Sequence, residues 1–219
     1  MQVRNKPYEG LFITIEGGEG AGKSTLSERL ALELQQMGYE VVMTREPGGS
    51  KLSEHIRSLL LHPPADMEIG TRSELFLFLA ARLQHIEEGI LPHLREKKVV
   101  ICERFNDSTI AYQGYARHLG MGYVEKVCAF ACEEMEPDAT LLLDIDPVVG
   151  LARMAKRAQP LDRLESEHIQ FHQEVRHAFL QLADKHEKRM TVLDASSPLD
   201  EVVQGALEAI RPHLLLKPH

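Results

Sequence analysis

Gly17-Gly18-Glu19-Gly20-Ala21-Gly22-Lys23-Ser24 is the stretch on which the reading of this chain turns. It fits the pattern G-x-x-x-x-G-K-[ST]. Glycines at these spacings let the backbone turn its N–H groups inward around a polyphosphate. The helix that follows aims the positive end of its dipole at the same anion. In such a loop the lysine, here Lys23, reaches the β- and γ-phosphates, and the hydroxyl of Ser24 serves a magnesium ion. Residues 17–24 together with Thr25 are therefore the candidate ATP-binding segment. The pattern implies a bound nucleoside triphosphate and says nothing about what receives the phosphate.

The flanks support the loop. Residues 11–16 form a short apolar, β-branched run, and residues 24–37 carry helical periodicity through Leu26, Leu30, Leu34 and Met37, with Gly38 as a stop. Beyond them the chain keeps alternating. Strands are predicted at 39–44, 98–102, 140–145 and 190–193. Helices are predicted from a Ser50 cap to 61, over 73–95, 108–118, 123–132, 147–156, 165–188 and 198–210. Strands separated by helices predict a parallel sheet covered on both faces, an α/β fold. No repeat or linker divides the 219 residues, so one domain over 1–219 is expected, with a short basic lid at about 153–164.

Composition bounds the function. A net charge of -8 disfavours a nucleic-acid backbone as partner, while local arginines can still hold a small anion. No apolar run reaches the roughly 18 residues that a membrane helix needs, and residues 1–10 lack the apolar core of a secretion signal. No membrane partner and a cytoplasmic location are expected. Cys102, Cys128 and Cys132 show no pairing pattern; Cys128 and Cys132 are four apart and admit a zinc reading, but buried neutral thiols explain them with less.

In an open parallel sheet, ligands lie beyond the carboxyl ends of the strands. After the second strand comes Arg45-Glu46-Pro47-Gly48-Gly49, and after the third comes Glu103-Arg104-Phe105-Asn106-Asp107-Ser108-Thr109. Arginines beside carboxylates at that rim suit a second phosphate held for in-line transfer. Either Glu103 or Asp144, each ending an apolar strand, could serve the metal ion; Arg104 beside it favours Glu103. A carboxylate inside a phosphate loop is awkward unless it points away, so Glu19 is read as facing a sugar hydroxyl. Phe78 and Arg82 are four apart on one face of a largely apolar helix. They could stack on a base and bond its carbonyl, or be core and cap. Arg153, Lys156, Arg157 and Arg163 cluster around the basic connection, which could close over ATP and bring cations to the transferring phosphoryl group.

Taken together these segments resemble the bacterial thymidylate kinase family. GGEGAGKST, TREPGG, EHIRSLLL, LFLAARLQH, ERFNDSTIAYQG and LDRLE follow one another in the family's order. The resemblance implies a P-loop NTPase fold, a three-layer α/β/α sandwich on a five-stranded parallel sheet, and a homodimer formed through helices that include the Phe78 segment. It implies transfer of the γ-phosphate of ATP to dTMP with Mg2+ as cofactor. Glu19 would sit near the deoxyribose 3′-hydroxyl. Arg45, Arg57 and Arg104 would hold the dTMP phosphate, with Glu46 beside the transfer site. Phe78 would stack on thymine and Arg82 would bond O4. Thr109 and Gln113 would read the base edge, and Ser108 and Tyr112 would line the pocket. Arg153 and Arg157 would supply lid cations in place of a phosphate-loop arginine. The family carries Asp-Arg where this chain has Glu103-Arg104, which shifts the carboxylate by about one methylene. Another small P-loop kinase, or a P-loop switch driving a partner, would share the loop but lack reason for Phe78, Arg82, Thr109 and Gln113.

Overall fold

The structure is a computed structural model that describes residues 8–133, 135–156 and 160–214. Its centre is a five-stranded sheet of order β2-β3-β1-β4-β5, parallel throughout. The strands are β1 (Leu11–Gly17), β2 (Val41–Arg45), β3 (Val99–Glu103), β4 (Ala139–Asp144) and β5 (Met190–Asp194). Every residue of β1 is buried, as expected of the middle strand of a sheet covered on both sides, whereas the edge strand β2 is half open.

Alternation along the strands sorts the two faces. Ile13, Ile15, Ile101 and Leu141 pack under α1 (Lys23–Gln36) and α9 (Leu199–Ile210), on Leu26, Leu30, Val203 and Ile210. Phe12, Val100 and Cys102 point the other way, to Ile90, Leu94 and Phe105. Beside them Leu142 meets Phe171, Phe179 and Leu182 of α8 (Ile169–Lys185) and, through them, Leu75, Phe78 and Leu79 of α3 (Thr71–His85). The register brings Arg45 opposite Glu103 and Ile15 opposite Glu103. The residues that follow the strands therefore meet at one rim.

Three predicted helices differ in extent. The helix expected over 73–95 begins at Thr71, widens into a π turn over Ile86–Ile90 and resumes as α4 (Leu91–Arg95). Pro92 has no N–H to continue a regular ladder, and the wider turn absorbs the missing bond. The helix expected over 108–118 starts as α5 (Asn106–Thr109) and becomes π-helical over Ile110–Ala116. The helix expected from 165 starts only at Ile169, because Asp162 Oδ1 accepts the N–H groups of Leu164 and Glu165, each at 2.8 Å, and holds a turn there. The remaining helices are α2 (Lys51–Leu61), α6 (Met121–Ala131) and α7 (Pro147–Met154), with Pro147 in the first turn as read from the sequence.

Candidate active site

The loop between β1 and α1 passes through left-handed backbone at Gly20 (φ 69°) and Gly22 (φ 93°), so that the first N–H groups of α1 face the rim. Gly20 also lies so close to Gly150 of α7 that a Cβ there would meet the Gly150 carbonyl. Lys23 Nζ donates to the carbonyls of Gly17 (3.2 Å) and Gly18 (2.7 Å). Burial, with the positive Arg104 nearby, lowers its pKa to about 8.

Contacts distinguish Glu103 from Asp144. Ser24 Oγ donates to Glu103 Oε2 at 2.9 Å, so the hydroxyl of the loop and the acid ending β3 stand side by side. Asp144 is instead held by Arg176, with N–O distances of 2.7 and 2.8 Å. Ser24 and Glu103 offer hard oxygen donors beside the phosphate loop, a set that fits a divalent cation such as magnesium.

Arg104 follows β3 with φ 66°, a left-handed conformation that costs a non-glycine residue about 1–2 kcal/mol. That turn aims its guanidinium at Gly17 O (3.1 Å), Ser108 Oγ (3.2 Å) and Glu19 Oε1 (2.6 Å). Tyr112 donates its hydroxyl to the same Glu19 oxygen at 2.7 Å, and the Arg104 guanidinium lies 5.1 Å from the Tyr112 ring centre. Burial alone would raise the Glu19 carboxyl, but Arg104, Lys23 and the Tyr112 hydroxyl hold it down at about 2. Glu19 thus points to Arg104 and Tyr112, on the cleft that Lys23 also lines.

A buried carboxylate missed by sequence reasoning supports this corner. Glu16, at the end of β1, accepts the N–H of Phe105 (2.7 Å) and the hydroxyl of Ser108, and so pins the segment carrying Arg104 and Ser108. Burial, with Asp107 close by, raises its pKa to about 7. Arg189 holds Asp107 at 2.7 and 2.8 Å.

Arg82 and Glu46 form an ion pair with both side chains 2% exposed. Arg82 also donates to Asn106 Oδ1 and to the Phe105 carbonyl, both at 3.0 Å, and its guanidinium lies over the Phe105 ring. His85, likewise unpredicted, fills the other side of Glu46. Its Nδ1 is 3.1 Å from Glu46 Oε1 and its Nε2 is 2.6 Å from Thr44 Oγ1. Glu46, His85 and Cys102 bring potential metal ligands within 4.8 Å, but Arg82 and Thr44 already occupy the carboxylate and the ring, leaving a hydrogen-bonded cluster. Cys102, Cys128 and Cys132 are buried and unbridged, and burial raises all three thiols.

Around these groups opens a cleft of about 170 Å³. Lys23, Ser24 and Glu103 line it, as do Arg45, Arg57 and Arg104 and the expected base readers Phe78, Arg82, Thr109 and Gln113. Arg45 is tied to Glu54 at 2.8 Å, and Arg57 donates to the Pro47 carbonyl at 2.8 Å. Leu61, Asp162, Leu164 and Glu165 also line it; they belong to the EHIRSLLL and LDRLE segments, but no role was assigned to them from the sequence.

The basic cluster does not act as one patch. Arg153 donates to the Ala195 carbonyl at 3.1 Å, between α7 and the end of β5, and does not line the cleft. Arg163 is docked on α2 and α3, through Leu60 O (2.8 Å) and Glu74 (2.6 Å). Arg157 lies outside the described residues.

The family model "Thymidylate kinase" matches residues 15–206. The chain is 52% identical over 207 residues to the thymidylate kinase of Protochlamydia amoebophila (strain UWE25), covering 92% of each chain. It is 43% identical over 208 residues to that of Bacillus cereus (strain B4264), covering 94% of this chain and all of the other. The crystal structure of thymidylate kinase from Ehrlichia chaffeensis superposes with a TM-score of 0.74 at 32% identity, over 92% of this chain and 98% of that one.

Proposed function

The chain belongs to the thymidylate kinase family, and from that premise we propose that this cleft seats dTMP and transfers to it the γ-phosphate of ATP, giving dTDP and ADP for dTTP synthesis. The observation that carries the reading is that a single cleft is lined by Lys23 and Ser24 of the phosphate loop, by Arg45, Arg57 and Arg104, and by Phe78, Arg82, Thr109 and Gln113.

Residues 17–25 hold the triphosphate, the backbone N–H groups and Lys23 facing its oxygens. Arg45, Arg57 and Arg104 hold the acceptor phosphate in line, with Glu46 beside the transfer site. The contact of Glu19 with Arg104 and Tyr112 leaves its second oxygen for the 3′-hydroxyl. Phe78 stacks on the base. A guanidinium carries five N–H groups, and the bonds to Glu46, Asn106 and Phe105 leave one on each Nη of Arg82, which supports its reading on O4. Thr109 and Gln113 read the edge, and Ser108 and Tyr112 close the pocket. Ser24 and Glu103 would hold Mg2+, which would supply positive charge to offset that of the phosphates. Arg153 and Arg157 act as lid cations over 153–164, Arg153 by giving up its bond to Ala195.

The same reading takes the chain as one domain and as a homodimer. Phe76 and Leu83 of α3, and Tyr123 and Phe130 of α6, stand exposed, Phe130 at 88%, and a second copy would cover them. No helix among the described residues is long and apolar enough to cross a membrane, and we place the enzyme in the cytoplasm, without a nucleic-acid partner.

The test is ADP release from ATP and Mg2+ with dTMP, dUMP, dCMP, UMP, CMP, AMP or GMP as acceptor. Strong preference for dTMP is expected, with dUMP weaker because a methyl in an apolar pocket contributes roughly 1–3 kcal/mol. Turnover indifferent to the acceptor refutes the reading.

A further inference from the structure

Glu74 lies in the first turn of α3 and is 1% exposed, yet it takes no part in the reaction derived above. Its carboxylate gathers groups from separate segments. Oε1 accepts from Gln113 Nε2 at 2.8 Å and faces Arg117 Nε at 3.5 Å, while Oε2 lies 2.6 Å from Arg163 Nη2. Each arginine is fixed from a second side. Arg117 pairs with Glu167 at 2.6 Å and lies over the Phe171 ring, and Arg163 donates to the Leu60 carbonyl at 2.8 Å. The positive end of the α3 dipole favours the same negative charge.

A carboxylate can only accept. Gln113 is 1% exposed and its amide has two faces, one a donor and one an acceptor. A flipped amide would set its carbonyl oxygen against the Glu74 carboxylate, so Nε2 stays on that side with one further N–H to spare, and the carbonyl oxygen is the acceptor that the amide offers a ligand in the cleft that Gln113 lines. We propose that Glu74 is a positioning residue that fixes the polarity of the Gln113 amide, so that the cleft selects a pyrimidine carrying a hydrogen on N3 over one whose N3 is an acceptor. The inference rests on the reading of this cleft as the dTMP site. Thymine presents N3–H and is accepted; cytosine presents a lone pair there, and two acceptors face each other. The penalty is that of a buried polar group left without a partner. Because Arg163, at the end of the lid segment, pairs with the same carboxylate, that segment is tied to the residue that sets base choice.

The experiment compares kcat/KM for dTMP and dCMP in the full chain. Glu74→Gln puts an amide where the carboxylate was, which can donate to Gln113 and lets its amide turn over. The preference for dTMP over dCMP is expected to fall by at least about tenfold, with the KM for ATP unchanged. Glu74→Asp keeps an acceptor-only partner and is expected to restore most of the preference. If Glu74→Gln does not fold, Gln113→Leu decides, since it removes the amide and leaves Glu74 its arginines; its preference should fall likewise. An unchanged dTMP-to-dCMP ratio in the folded Glu74→Gln variant, with kcat lowered equally on both acceptors, makes Glu74 structural and overturns the inference. So does an unchanged ratio in Gln113→Leu. A wild-type chain that is idle with dTMP overturns the reading of the cleft itself, whereas a wild-type preference for dTMP that survives Glu74→Gln overturns only this inference.

Discussion

Gly150→Ala isolates the placement of the phosphate loop from the stability of the fold. Gly150 is the fourth residue of α7, and its N–H donates to the Asp146 carbonyl at 3.0 Å. Its backbone is helical, so alanine is conformationally acceptable there and gains up to about 1 kcal/mol in helix propensity. The added Cβ, however, would meet the Glu19 carbonyl oxygen inside the 3.0 Å that real contacts essentially never breach, with Ile145 Cγ2 at 3.6 Å on another side. Relief requires the loop and α7 to separate by roughly 1 Å, and a misplacement of that size can cost about 100-fold in rate. Overpacking of this kind costs about 1–3 kcal/mol, partly offset by propensity, so the net loss is about 0–2 kcal/mol. For a chain of this length that is a fall in Tm of no more than about 8 °C. The expected outcome is a folded protein whose kcat/KM for ATP and dTMP is down about 100-fold. Gly122→Ala in α6 is the control, because a Cβ there meets nothing within 4 Å; it should leave turnover unchanged. Wild-type kcat/KM in Gly150→Ala, or a loss of activity that tracks unfolding, would refute the argument that the Glu19–Gly150 contact sets the loop.

Lys23 should impose a basic limb on kcat/KM for ATP. Its pKa in the free protein is about 8 against an ordinary 10.5, so above that pH the loop lysine loses its charge and ATP capture declines. The same shift has a stability sign. The unfolded chain holds the extra proton between the two values, so the Lys23 contribution makes the fold more stable as pH rises from about 8 to 10.5. A kcat/KM profile that stays flat well above pH 8 would contradict the first statement. Glu46→Gln should be among the costliest single changes, about 3–5 kcal/mol, because it strands the Arg82 charge at 2% exposure; denaturant unfolding measures it, and a loss under about 1 kcal/mol would mean that Asn106 and Phe105 suffice to hold that guanidinium.

What the sequence made legible was local. The phosphate loop is a run of consecutive residues whose meaning lies in backbone freedom and charge, and the strand before it and helix after it are set by short-range periodicity. The residues after β2 and β3 could be assigned to one rim from the parallel sheet alone. What stayed hidden depends on partners far along the chain. Glu16 is only an acid ending an apolar strand until Ser108, 92 residues on, donates to it. Glu103 and Asp144 are the same signal in sequence; one becomes the neighbour of Ser24 and the other is taken by Arg176, a helix surface residue with nothing to mark it. Arg153 and Arg163 were equal members of a basic cluster, and folding sends them to Ala195 and Glu74.

These cases share a cause. A buried charge costs too much to leave unpaired, so its role is decided by whichever counter-group the tertiary fold delivers, and local sequence carries no record of that delivery. The groups that would touch substrate were visible because chemistry dictates their type, whereas Glu16 and Glu74, which orient them, were not, because any acid reaching the same buried spot would do; Glu46 was named, but not as the partner of Arg82. Glu16 behind Arg104 and Ser108, Glu46 between Arg82 and His85, and Glu74 behind Gln113 repeat one arrangement: a buried carboxyl group fixes the direction of a side chain that lines the cleft. Specificity then depends as much on this hidden layer of carboxylates as on the side chains that line the pocket, which is why exchanging a buried acid for its amide, with volume almost unchanged, is expected to alter what the cleft prefers.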